Sequence, residues 1–154
     1  MSPASVRRMA PILQPRCRVV VTGMGAVTPL GNDVATFWRR LLAGESGIGR
    51  LTRFDATSLR TQIAAEVRDL CVPEQIEPAR RKHMARFALL ALIAALEAWQ
   101  QAGLATCELD PYEVGVIVGS SHGGEECLLE GVEHILRDDI RAVSPRMISL
   151  MLSN

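Results

Sequence analysis

Apolar runs separated by clusters of turn-forming residues set the pattern of this chain. Arg18 to Val21 is a β-branched run with no polar alternation, and Val114 to Ser120 ("VGVIVGS") repeats the pattern and ends in glycine and serine. Runs of this kind predict strands covered on both faces, which places both in the centre of a sheet. Between them the period changes. Asn32 or Asp33 can cap a helix running through Leu42, with Phe37, Trp38 and Leu41 on its inner side and Gly44 as its stop. "GESGIGRLTRFDATSL" is rich in turn formers and predicts a surface crossing, after which "TQIAAEV" returns as an edge strand. From His83 to Ala102 nearly every residue is a helix former, and "FALLALIAAL" leaves no polar stripe, so this long helix is expected to be buried on every side. Seven alanines in that span allow close approach of other elements, and Gly103 ends it. Glu125 and Glu126 suit a helix N-terminus, Glu133 can pair with Arg137, and Asp138 and Asp139 oppose the dipole, so the next helix should stop near Arg137. Ser144 and Pro145 open a last one.

Length and charge narrow the picture. At 154 residues the chain has room for one domain with a real core. Its 17 basic and 17 acidic side chains cancel, so no global field draws it to nucleic acid or to an anionic membrane. The longest apolar run, Phe87 to Leu96, is far short of the roughly 18 to 20 residues a membrane span needs. Residues 1–17 hold Arg7, Arg8 and Arg16 but no apolar core of a secretory signal, which predicts a disordered tail and a cytoplasmic location. Cys17, Cys71, Cys107 and Cys127 include no C-x-x-C pair and read as small core residues, without zinc or a disulfide framework.

The stretch "VVVTGMGAVTPLG", Val19 to Gly31, places glycines after a strand as a nucleotide-binding turn would. A dinucleotide fingerprint needs G-x-G-x-x-G with its third glycine inside a helix that starts at once. Here Thr28 holds that third position, and Pro29 and Leu30 delay the helix until Asn32. The glycines instead release a strand into a loop that runs under another element. Cys127 and His134 lie seven residues apart on one helix, a rise of about 10 Å, too far for a thiolate and its base. His83, His122 and His134 lack metal-ligand spacing. No cofactor and no metal are expected.

Taken together, "RVVVTGMGAVTPLGNDVATFW", "LLAGESGI", "RFDATSL", "MARFALLA", "EVGVIVGSSHGG" and "SPRMISLMLSN" resemble the N-terminal half of β-ketoacyl-[acyl carrier protein] synthases, nearest to the elongating type II enzymes. The resemblance implies an α/β thiolase-like fold, present here as an incomplete N-terminal half over residues 18–154 with a mixed central sheet and a buried long helix. It also implies decarboxylative Claisen condensation in fatty acid or polyketide synthesis. In that family a cysteine at a helix N-terminus takes the acyl group, and two histidines assist decarboxylation of a malonyl thioester. The family's "T-A-C-S" type turn is absent, so the 154 residues are expected to stop before the nucleophile and to be inactive alone, and none of the four cysteines fills that role.

The resemblance carries over to a few positions. "GSSHGG" matches the glycine-rich turn beside the acyl pocket, where His122 replaces a common apolar side chain. Met147, after "SPR", matches a region lining the pocket of the partner subunit in the family dimer. In "ARRKHMAR", Arg80, Arg81 and Lys82 match basic residues that meet the acidic carrier protein. Implied partners are acyl carrier protein, acyl and malonyl thioesters, and a second ketosynthase subunit in a homodimer or heterodimer. A non-catalytic subunit resembling a chain-length factor is the alternative. Ala85 stands where aspartate is frequent, and Leu89 and Leu90 replace a polar-aromatic pair.

Overall fold

The computed structural model describes residues 18–151. The predicted N-terminal tail and Cys17 fall outside them. Helix α1 spans Val34–Leu42, and Asp33 is its cap: in extended conformation, its carboxylate accepts the Thr36 N–H at 2.7 Å. That bond holds the Asp33 carboxyl below its ordinary range. Gly44 stops the helix at φ +70°. The expected inner face is corrected in part. Phe37 is half-buried, but Trp38 and Leu41 are exposed, because no described element packs over that side.

Strand β1, Ile48–Arg50, pairs antiparallel with β2, Ile63–Ala65, with Gly49 opposite Ala64. β2 is the expected edge strand. β1 lies inside the stretch read as a turn-rich crossing, where Ile48 and the Leu51 N–H bond to the Gln62 carbonyl extend a ladder that composition hides. Buried Glu66 ties the ribbon down. It accepts the Thr52 and Arg53 N–H groups and the Thr52 hydroxyl, and it pairs with Arg68 at 3.2 Å.

The long helical run starts three residues later than its expected His83, and a short helix that was not expected precedes it. α2, Pro78–Arg81, begins at a proline in its first turn, and α3, Arg86–Gln101, starts only after Ala85 in extended conformation. Gly103, at φ +69°, follows its end. The expectation of burial on every side is not met: Ile93 is the one buried residue of α3, and Trp99 is exposed. α4, Glu125–Leu136, ends where predicted, with Asp138 at positive φ and Arg137 bonded to Glu133 at 3.2 Å. α5, Met147–Met151, packs on α4 at Gly131, where an added Cβ would lie 2.3 Å from the Met147 sulfur.

The mixed central sheet is the main correction. Neither Arg18–Val21 nor Val114–Ser120 forms a ladder among the described residues, and the described sheet is the two-stranded β1–β2 ribbon alone. A strand persists only with a hydrogen-bonded neighbour. Without one, Val19 is 93% and Ile117 98% exposed.

Candidate functional site

Of the three glycines in the Val19–Gly31 stretch, Gly23 and Gly25 lie on α3, and Gly31 lies against Thr36 and Phe37 of α1. A Cβ on Gly23 would come 2.1 Å from the Ala98 carbonyl oxygen, and one on Gly25 would come 1.8 Å from that of Ala94. Two backbone donors of the same stretch are met from α3: Met24 N–H by the Gln101 side chain at 2.6 Å and Ala26 N–H by Glu97 at 2.9 Å. The second oxygen of Glu97 accepts the Val34 N–H, the first donor of α1, at 2.8 Å. A carboxylate therefore occupies the anion position at that helix N-terminus. Phosphate would meet a negative charge and a filled donor, so the turn is a packing device, as its helix delay predicts.

His122, expected at the acyl pocket, and Met147, expected at the pocket of a partner subunit, lie at separate places. The His122 side chain is 75% exposed and its Nδ1 lies 3.0 Å from Glu125, while its carbonyl accepts the Ser120 hydroxyl at 2.6 Å. Met147 is half-buried and lines a cavity of about 100 Å³ with Cys127, Gly131 and His134, which His122 does not line. Arg80 and Lys82 are exposed around the end of α2, with Arg80 3.9 Å from Glu77. Arg81 is half-buried, and its Nε has no hydrogen-bond partner among the described residues. The three positions form one basic turn ahead of α3.

No described cysteine is set up as a nucleophile. Cys71 and Cys107 are exposed, which corrects their expected place in a core. Cys127 is half-buried beside Gly124, and burial, with Glu126 and Glu130 nearby, raises its thiol pKa and favours the protonated form. His134 shares a cavity with Cys127 but faces Asp139 at 3.5 Å. Among the described residues no cluster of metal ligands is present and no helix is long and apolar enough to cross a membrane. An apolar groove of about 330 Å³ beside α3 is lined by Met84, Phe87, Leu92, Val116, Val118 and Leu150.

Comparison with known proteins shows which family this scaffold belongs to. Residues 16–154 match the model of the beta-ketoacyl synthase N-terminal domain. The chain belongs to this family. It is 41% identical over 131 residues to 3-oxoacyl-[acyl-carrier-protein] synthase 2 of Coxiella burnetii, covering 85% of this chain and 32% of the relative. It is 36% identical to the chloroplastic 3-oxoacyl-[acyl-carrier-protein] synthase I of Hordeum vulgare, over 91% of this chain and 31% of that one. Among solved structures, a beta-ketoacyl synthase from Burkholderia phymatum aligns with TM-score 0.73 at 28% identity, over 87% of this chain and 33% of that one. The ishigamide ketosynthase/chain length factor aligns with TM-score 0.65 at 27% identity, over 86% and 33%. The chain thus spans about a third of the length of the relatives it matches.

Three acidic residues that organise the family scaffold here were not singled out for that role in the sequence. Glu97 and Glu126 each satisfy the first donor of a remote helix, Val34 of α1 and Arg86 of α3, the latter at 2.8 Å. Glu66 gathers the β-ribbon. Glu97 did carry a signal, as the first charge after ten apolar residues on one helix. Glu66 and Glu126 carried none that local periodicity could reveal.

Proposed function

We propose that this chain is the N-terminal portion of a β-ketoacyl-[acyl carrier protein] synthase, which condenses an acyl group with a malonyl thioester by decarboxylative Claisen chemistry in fatty acid or polyketide synthesis. The match of residues 16–154 to the beta-ketoacyl synthase N-terminal domain carries the reading. The portion supplies scaffold and pocket wall, and the nucleophilic cysteine and the two histidines come from sequence beyond its match. The 154 residues alone therefore condense nothing, which agrees with a Cys127 thiol pushed towards its protonated form.

Within that enzyme, cytoplasmic in this reading, His122 borders the acyl pocket and Met147 faces the pocket of a second subunit in a dimer. Arg80, Arg81 and Lys82 receive the acidic acyl carrier protein. The exposure of Arg80 and Lys82 around the end of α2 supports this last role, because a local basic patch open to solvent can steer an acidic partner. A non-catalytic partner subunit is the second reading, supported by the likeness to a ketosynthase/chain length factor.

A chimera separates the two. Residues 18–154 replace the matched stretch of the Coxiella burnetii synthase, and turnover of acyl and malonyl carrier-protein thioesters is measured. Condensation by the chimera, with none by the 154-residue chain, is the expected result. A folded but inactive chimera would favour the non-catalytic reading.

A further inference from the structure

We infer that Glu126 is a positioning residue that ties the basic turn at Arg80, Arg81 and Lys82 to the glycine-rich turn at His122, so that an acyl group arriving on its carrier is presented to the pocket turn at a fixed spacing. The inference rests on the docking and pocket roles proposed above and adds the residue that joins the two turns.

The first N–H groups of a helix need partners from outside it. α3 has no local cap, since the Ala85 side chain at its N-cap makes no hydrogen bond, and the Arg86 N–H is met by a Glu126 carboxylate oxygen at 2.8 Å. This partner stands 40 residues away, in the first turn of α4. One carboxylate therefore serves the N-termini of two helices, where both macrodipoles favour it. The two helix starts meet closely beside it. Ala85 is 4% exposed, and a Cβ added to Gly124 would come 2.8 Å from the Ala85 Cβ.

Each end of the tie is a short step from one of the two turns. On the α3 side only His83 and Met84 separate Lys82 from Ala85, and their N–H groups bond back to the Arg80 and Arg81 carbonyls at 3.0 and 3.2 Å. The basic turn therefore moves with the start of α3. On the α4 side the Glu125 N–H bonds to the Gly123 carbonyl at 2.6 Å, and the Glu125 carboxylate holds His122 Nδ1 at 3.0 Å. Two successive glutamates thus divide the work: Glu125 holds the His122 turn and Glu126 holds the docking side. Glu126 is exposed, so losing its bond hands the Arg86 N–H to water and changes stability little. What is lost is spacing, to which a reacting group is sensitive on the scale of about 1 Å.

The test uses the chimera carrying residues 18–154 and compares two acyl donors, one on acyl carrier protein and one on N-acetylcysteamine, a small thioester that bypasses docking. Glu126→Ala should lower kcat/KM for the carrier-linked donor by about three- to tenfold, the weight of one hydrogen bond to a charged group near solvent. The small thioester should react as in the parent, and the carrier should bind with unchanged affinity, because the basic residues remain. Glu126→Gln keeps a side-chain acceptor and should retain most of the carrier-linked activity. If Glu126→Ala does not fold, Glu126→Asp keeps the charge but shortens the reach, and the same selective loss is expected of it. A merely structural role would lower both donors together, so equal losses would overturn the inference. No loss, or a Gln variant as impaired as the Ala variant, would also overturn it. A folded parent chimera inactive with both donors counts against the proposed function alone, and amide hydrogen exchange then decides. Carrier binding should slow exchange over residues 120–124 in the parent and not in Glu126→Ala. Exchange that responds equally in the two, or in neither, would overturn the inference.

Discussion

Gly25 stands so close to Ala94 that a Cβ added to it would lie 1.8 Å from the Ala94 carbonyl oxygen. Gly23 meets Ala98 in the same way one turn further along α3. Two residues of extended chain advance about 6.6 Å, and four helical residues advance about 6 Å, so the G-x-G spacing matches one turn of the helix beneath it. Glycines arranged like the start of a nucleotide motif are here the small faces of a packed crossing. Gly25→Ala should destabilise the fold by about 1 to 3 kcal/mol, because the new methyl meets backbone that cannot rotate away. Ala94→Gly should not rescue it, since the clash is with the carbonyl. An unchanged urea midpoint for Gly25→Ala would remove the crossing.

Glu97 holds two donors with one carboxylate, Ala26 N–H on one oxygen and Val34 N–H on the other. Glu97→Gln keeps the shape but turns an acceptor into a donor facing a donor. The expected cost is about 1 to 3 kcal/mol in chemical denaturation, from one unsatisfied part-buried N–H and a weakened helix N-terminus. A Gln variant as stable as the parent would mean that solvent satisfies one of the two donors.

Glu66 gives the stability a defined acid dependence. The Thr52 backbone and hydroxyl donors, followed by Arg53 and Arg68, lower its pKa from 4.5 to about 2, against the opposing effect of burial. A carboxyl depressed in the folded state contributes stability that is fully present above its unfolded pKa. That contribution is lost as pH falls from about 4.5 towards 2. Urea midpoints measured across this window should fall more steeply for the parent than for Glu66→Gln. The comparison is needed because Asp33 and Asp55 are lowered by their own threonine donors and act in the same direction. Parallel curves would show that Glu66 is solvated.

The local grammar of the chain was legible wherever a short-range rule decides. Asp33 caps α1, Gly44 and Gly103 follow helix ends, and Glu133 meets Arg137 one turn on. Burial was not legible to the same extent. The valine and isoleucine runs announce covered strands, but covering depends on partners that local pattern does not contain, and Val19 and Ile117 stay open. The break before Arg86 was hidden because Lys82 to Ala85 offers no proline or glycine, only a backbone turn completed when Glu126 of α4 caps the Arg86 N–H. In the candidate site the resemblance assigns positions, whereas the surroundings of each, Glu125 beside an exposed His122 and the Cys127–His134 cavity beside Met147, are tertiary properties that no local pattern carries.

Carrier docking predicts a kinetic effect. In the chimera, Arg81→Glu with Lys82→Glu should slow association with acyl carrier protein by about ten-fold or more at low salt and flatten its dependence on ionic strength. The cause is reversal of a local basic turn whose members make no salt bridge apart from Arg80 with Glu77 among the described residues. Stopped-flow association across a salt series reads both quantities. Identical slopes for parent and variant would assign the turn to solvent rather than to the carrier.

His122 offers the sharpest test of the pocket reading. In the described residues its ring is open to water and held 3.0 Å from Glu125, a surface pair of little energetic weight. If the turn borders the acyl pocket in the assembled enzyme, a long alkyl chain must displace that water and lie against a polar ring. An unpaired polar group buried in this way costs on the order of 1 to 3 kcal/mol, or about 5- to 150-fold. His122→Ile removes the cost, so in the chimera the kcat/KM ratio for long over short acyl-carrier substrates should rise by a factor in that range. Stability should change little, since the residue is exposed where it now stands. Competition between a short and a long acyl carrier in one reaction measures the ratio directly. A ratio equal in parent and variant would make His122 a solvent-facing partner of Glu125 and remove it from the pocket.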